Sequence, residues 1–244
     1  MDELRAVLAK TSPEKRRGLS DILKADGTEV SMLEDALWRN SRSVFGRILG
    51  DKPAYSSVVK QVADKLDIPY SGVETKTLEV RIARHVFQTV WEKMTPEQKE
   101  EMEAELRREA QKSDKGRVLA GSASLFTALT AAKVSGFGIY LLASTSLSAL
   151  TGTLGLTLPF AAYTTMSGAI ATILGPVGWI GAGLFVIWKL TGPNYRRLIP
   201  AILYVSMLRS EQELREEERG SKIIVYVTVF LLVAVLVAGI FWFL

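Results

Sequence analysis

Apolar residues recur with helical spacing through the first 114 positions. Leu78, Ile82, Val86, Val90 and Met94 fall four apart, and Val80, Phe87 and Trp91 widen the stripe. That period predicts a core-facing helix of about five turns over 77–94. Helix starts are marked by side chains able to accept from free N–H groups. Ser12 precedes Pro13 and Glu14, Ser31 stands three before Glu34, and Thr95 stands three before Gln98 with Pro96 between them. In the charge-dense stretch 97–112, Glu103 precedes Arg107 by four, the favourable order for a helical ion pair. That stretch reads as a solvated helix face. The expected unit is a soluble helical domain over 1–114.

The pattern then changes. From 118 to 190 the charges are Lys133 and Lys189, and ten of these 73 residues are glycine. As helix, 73 residues reach about 110 Å, enough to cross a hydrocarbon core of about 30 Å twice. Breaks are expected at 151–157, at Pro159 and at Gly175-Pro176. Two structures fit this Gly/Ala-rich hairpin of 115–192: a buried hairpin at the centre of a helical bundle, or a pair of membrane crossings. Small residues permit close backbone approach in both. Lys133, Gly136, Gly138, Gly175, Gly178 and Gly181 are its candidate insertion and packing residues.

Residues 193–220 return to an amphipathic pattern, with Leu198, Ile199, Ile202, Leu203, Val205 and Leu208 apolar and Arg196, Arg197 and Arg209 nearby. This helix is expected to pack on the domain rather than lie on lipid, since its Glu-rich end repels anionic headgroups. Ile223 to Leu244 is 22 uncharged residues, about 33 Å of helix, with Trp242 as an aromatic anchor between Phe241 and Phe243. Residues 221–244 therefore read as a C-terminal transmembrane tail anchor. The amino terminus lacks the apolar core of a secretory signal. The expected fold is an all-α helical bundle with a central apolar hairpin and this anchor, its N-terminal domain in the cytoplasm at the bacterial inner membrane.

Charge sharpens the division. Residues 1–114 carry 20 bases and 21 acids; residues 115–210 carry seven bases and no acid; residues 211–244 carry three bases and five acids. The acid-free window has basic ends and an uncharged middle, the arrangement the positive-inside rule favours for a hairpin entering from the cytosol. Chemistry is sparse by comparison. There is no cysteine, so thiolate ligands and nucleophiles are excluded. The single histidine, His85, lies between Ile82 and Val86 and reads as a helix-face residue. Neither H-E-x-x-H nor a phosphate-binding glycine loop is present, and the basic block is too apolar for a nucleic-acid face. No catalytic residue, metal or cofactor is expected.

Several blocks resemble a known family. Asn40-Ser41 through Tyr55 to Val62 and Leu66, the turn Trp91–Lys99, and Gly175-Pro176-Val177-Gly178 followed by Tyr195-Arg196, Ile199-Pro200-Ala201 and Leu208-Arg209 are similar to the motifs of the YaaW family of uncharacterised bacterial proteins. Tyr195, Arg196 and Pro200 carry the most specific part. The family is distantly grouped with ubiquinol–cytochrome c chaperones. The resemblance implies an assembly-factor role and brings no catalytic residues.

Two functions follow. One is a tail-anchored, pore-forming-like effector whose buried hairpin inserts into the bilayer and oligomerises along its small-residue faces. The other is a membrane-anchored assembly factor or adaptor that binds a protein client. The expected partners are thus a lipid bilayer, further copies of the chain or a client protein, and no nucleic acid.

Overall fold

The structure, a computed structural model, describes residues 2–41, 52–112, 116–131, 136–154 and 194–221. The described residues are all-helical, with no strand among them. In chain order the helices are α1 (Asp2–Ala9), α2 (Pro13–Leu23), α3 (Val30–Ser41), α4 (Tyr55–Lys65), α5 (Thr75–Lys93), α6 (Pro96–Gln111), α7 (Arg117–Ala120), α8 (Leu125–Thr130) and α9 (Gly136–Leu154). A further helix, α10, covers residues 194–221.

Local signals set most boundaries. Ser12 caps α2, with Lys15 N–H donating to its Oγ at 3.5 Å and Pro13 in the first turn. Thr95 and Gln98 form the reciprocal capping box of α6, at 2.9 and 3.3 Å. Glu34 departs from its expected capping role. The helix has already begun at Val30, and the Glu34 carboxylate takes two bonds from Arg5 on α1, at 2.6 and 3.1 Å. Glu103 and Arg107 both grip the segment after α7. Glu103 accepts from Ser124 Oγ at 2.8 Å and Phe126 N at 3.2 Å, while Arg107 donates to the carbonyls of Ala120 and Ser122.

The stripe on α5 buries Leu78, Ile82, Val86, Phe87 and Val90. It packs on α4 and, most extensively, on α9. One apolar core runs from Leu4 on α1 to Leu208 on α10. The uncharged helix α9 and the uncharged stretch 198–208 of α10 lie deepest in it. Along α9, Phe137, Tyr140, Leu141, Leu142, Ala143 and Leu147 are buried, and so are Ser144, Thr145, Ser146 and Ser148. Ser144 satisfies its hydroxyl on Leu141 O at 3.1 Å. Ser146 donates to Leu142 O at 2.7 Å and reaches Ala83 O on α5 at 3.1 Å. Hydroxyls bonded to helix carbonyls, as at Ser144 and Ser146, can be buried at little cost, whereas the buried Thr145 Oγ1 has no hydrogen-bond partner among the described residues. On α10 every position from 198 to 208 is buried. The helix read as amphipathic is thus enclosed on all sides over eleven residues. Each buried Leu, Ile or Val there contributes about 1.5–3 kcal/mol relative to exposure.

Gly18 allows α10 to seat against α2. A Cβ there would fall 2.4 Å from the Tyr204 hydroxyl, which is held in place by donating to Lys15 O at 2.7 Å.

Among the described residues no helix is long and apolar enough to cross a membrane. This overturns the tail-anchored, pore-forming effector, the placement at a membrane, and the membrane attachment assigned to the adaptor. The reason is visible in α9, the first arm of the expected hairpin: glycine, serine and threonine dilute its apolar character, and its buried faces meet protein. Residues 223–244, with Ile223, Trp242 and Leu244, lie outside the described residues, as do Lys133, Gly175, Gly178 and Gly181.

Candidate functional site

The most unusual chemistry of the described residues lies inside the bundle. Glu79 follows Leu78 on α5 and precedes Ile82 by three, which turns its side chain onto the buried face. It is wholly inaccessible to solvent. Arg209 is the first charge on α10 after the eleven buried positions. Its guanidinium meets the carboxylate side-on, Nε to Oε2 at 3.1 Å and Nη2 to Oε1 at 3.0 Å. The buried Tyr55, from the first turn of α4, faces the same carboxylate with a hydroxyl whose geometry falls short of a full hydrogen bond. Three helices therefore meet at one ion pair.

Burial dominates the electrostatics. It pushes the Glu79 carboxyl above the usual carboxylate range, although Arg209 pulls it back and Glu3 on α1 adds a small push upward. Burial likewise raises the Tyr55 phenol, with Glu79 adding to the effect. The Glu79 charge holds the Arg209 guanidinium above its ordinary value even though burial acts the other way. The pair is an internal clasp whose carboxylate is closed off from solvent, while the Arg209 side chain is 19% exposed.

Further polar contacts tie the opposite end of α10 to α3 and α4. Asn40, at the end of α3, donates through Nδ2 to Leu23 O at 3.1 Å and Ala36 O at 2.8 Å, and its Oδ1 accepts from Arg197 at 3.5 Å. Leu23 O belongs to the last turn of α2, where carbonyls lack helical partners. Tyr195 accepts from Gln61 Nε2 on α4 at 3.4 Å, and Lys65 stands 6.0 Å over its ring. Asn40, Tyr195 and Arg209, quoted above among the motif residues, thus lie in polar contacts between α10 and the N-terminal helices, and Tyr55 faces the carboxylate that Arg209 holds.

Other sequence-derived candidates fall elsewhere. Gly136 opens α9, where a Cβ would make ordinary contact with Leu214 at 3.7 Å, and Gly138, two residues on, is buried. Arg196 is half-buried and Pro200 buried on α10. The sequence reading missed Glu79. Its signal was a lone carboxylate inside an apolar stripe, matched by a lone arginine closing an apolar helix.

Two further polar places lie away from the clasp. A surface cavity of about 210 Å³ is lined by Asp26, Met32, Asp35, Trp38, Arg39 and Lys52. Arg39 pairs with Asp26 at 3.1 Å and Lys52 pairs with Asp35, so its charges neutralise one another. His85 is half-buried on α5, and burial holds its imidazole below the ordinary value. Among the described residues no group of three or more acids or histidines is placed to hold a metal ion.

The chain is similar to a UPF0174 protein of Helicobacter pylori, 30% identical over 190 residues that cover 77% of this chain and 73% of that protein. No family model matches the chain. No solved structure matches it.

Proposed function

The chain belongs to the UPF0174 family, and from the character of its interior we propose that it is a non-enzymatic helical adaptor that works by binding a protein client. The carrying observation is where the perturbed titratable groups lie. Glu79, Tyr55 and Tyr204 are sealed within the core and His85 is half-buried, with no group of three or more acids or histidines placed to hold a metal among the described residues, whereas general acid–base work needs such a group within hydrogen-bond reach of a substrate.

The outward-facing features suit contact rather than chemistry. Val118 on α7 is 86% exposed. On α5 and α8 the half-buried rings of Trp91 and Phe126 stack with centroids 4.6 Å apart. Aromatic anchors of this kind supply much of the energy of protein interfaces. The motif resemblance to the YaaW family, with its distant grouping beside respiratory assembly chaperones, fits the same reading.

A photo-reactive amino acid placed at Val118 in living cells tests it. The expected result is one discrete adduct with a second protein, lost when Trp91→Ala and Phe126→Ala are added and absent when the probe replaces buried Leu203. A diffuse background at Val118, or substrate turnover by the purified chain that Glu79→Gln abolishes without unfolding it, would overturn the reading.

A further inference from the structure

The two halves of α10 are held by different forces. Over 198–208 the helix is enclosed by apolar side chains. From Arg209 onward its exposure rises, and its anchors become polar. Glu211 pairs with Lys15 on α2, Glu213 with Lys76 on α5 at 2.7 Å, and Glu216 with Lys10, just after α1, at 2.9 Å. Gln212 adds bonds to Val7 O at 2.9 Å and Thr11 Oγ1 at 3.0 Å.

Solvent access grades along this row. The carboxylate side chains are 16%, 35% and 60% exposed at Glu211, Glu213 and Glu216, and their lysine partners 19%, 46% and 62%. Ion pairs weaken as solvent reaches them, and salt screens exposed pairs most. Opening the outer half uncovers little apolar surface beyond Leu214, which packs against the core from a half-buried position. Opening the inner half would disrupt the core itself.

We propose that residues 211–221 form an electrostatic strap that lifts from the bundle as a unit while 198–208 stays docked, with the Glu79–Arg209 clasp as the hinge and ionic strength as the control. Lysines from three places along the chain hold the strap, so it opens from the exposed Glu216 end and stops at the clasp. Lifting frees the Val7 carbonyl and the Thr11 hydroxyl from Gln212 and takes Glu211 and Arg215 away from the Tyr140 phenol on α9. The strap lifts whether or not a client exists, so the inference stands apart from the adaptor reading.

Amide hydrogen exchange on the full chain tests it, at about 0.01 M and about 1 M potassium chloride, where the screening length falls from about 30 Å to about 3 Å. The expected result is exchange over 211–219 that speeds up about tenfold in high salt, with 201–208 unchanged in the same molecules. The triple variant Glu211→Gln, Glu213→Gln, Glu216→Gln should exchange at low salt as fast as the parent at high salt, and lose its salt response. Equal exchange rates in the two segments, or a 211–219 rate indifferent to both salt and the triple variant, would overturn the strap.

Discussion

Arg209–Glu79 and Lys10–Glu216 are both ion pairs made by α10, seven residues apart along it, and they do opposite jobs. The first is closed off from water on the carboxylate side; the second has both side chains about three-fifths exposed. A buried pair adds little net stability over a well-packed apolar alternative, but leaving one of its charges alone is expensive. An exposed pair is nearly free to break. The inner pair therefore specifies where α10 must sit, since any other register strands a charge in the core. The outer pair only biases how long the helix end stays down.

The sharpest way to break this comparison is to remove one inner charge. Glu79→Ala strands the half-buried Arg209 guanidinium, which cannot neutralise itself, and should lower the unfolding free energy by about 3–5 kcal/mol. Urea melts would measure it. The double variant Glu79→Met, Arg209→Met restores an apolar contact and should recover most of that loss. If the double variant is as unstable as the single one, the clasp contributes net stability rather than register.

The seating of the inner half comes next. Gly18→Ala drives a methyl toward the Tyr204 hydroxyl, which is anchored on Lys15 O and cannot swing aside. Overpacking of this kind costs about 1–3 kcal/mol, more than the gain in helix propensity from replacing glycine. A further Tyr204→Phe change removes the blocking hydroxyl and should recover part of the loss in the same melts.

Much of this was readable in the sequence because it follows from periodicity and local capping. The α5 stripe and the Ser12 and Thr95 starts depend on residues three or four apart. What the sequence left open depends on contacts across the chain. The low-charge run that becomes α9 fits lipid and a protein core equally well, because small and hydroxyl residues satisfy both; only its packing on α5 decides. Glu34 sits at capping-box spacing, and its preference for Arg5 is invisible without knowing that α1 lies beside α3. The clasp joins residues 130 positions apart. Either charge alone reads as an irregularity in an apolar pattern, and only the fold makes them a pair.

Proton linkage separates the two halves by sign. In the folded chain burial holds Glu79 above the usual carboxylate range, so it keeps a proton at pH values where the unfolded chain has lost it. Its contribution to stability is therefore fully present below the ordinary carboxylate value and is lost as pH rises through the raised one. Lys10 holds Glu216 below the usual range, so that contribution is present above the ordinary value and is lost as pH falls through the depressed one. Subtracting melts of Glu79→Gln and of Glu216→Gln from those of the parent across mildly acid pH should give slopes of opposite sign. Slopes of the same sign would mean that the two halves respond to protons alike.

The smallest expected effect lies at the middle of the outer row. Glu213→Gln removes a pair whose two side chains are 35% and 46% exposed. The loss in global stability should be no more than about 1 kcal/mol at low salt and should vanish at about 1 M salt, where screening acts within about 3 Å. The informative quantity is the coupling in a double-mutant cycle of Glu213→Gln with Lys76→Met. A coupling that survives high salt would place this pair with the inner clasp and move the boundary between the halves of α10 outward by a full turn.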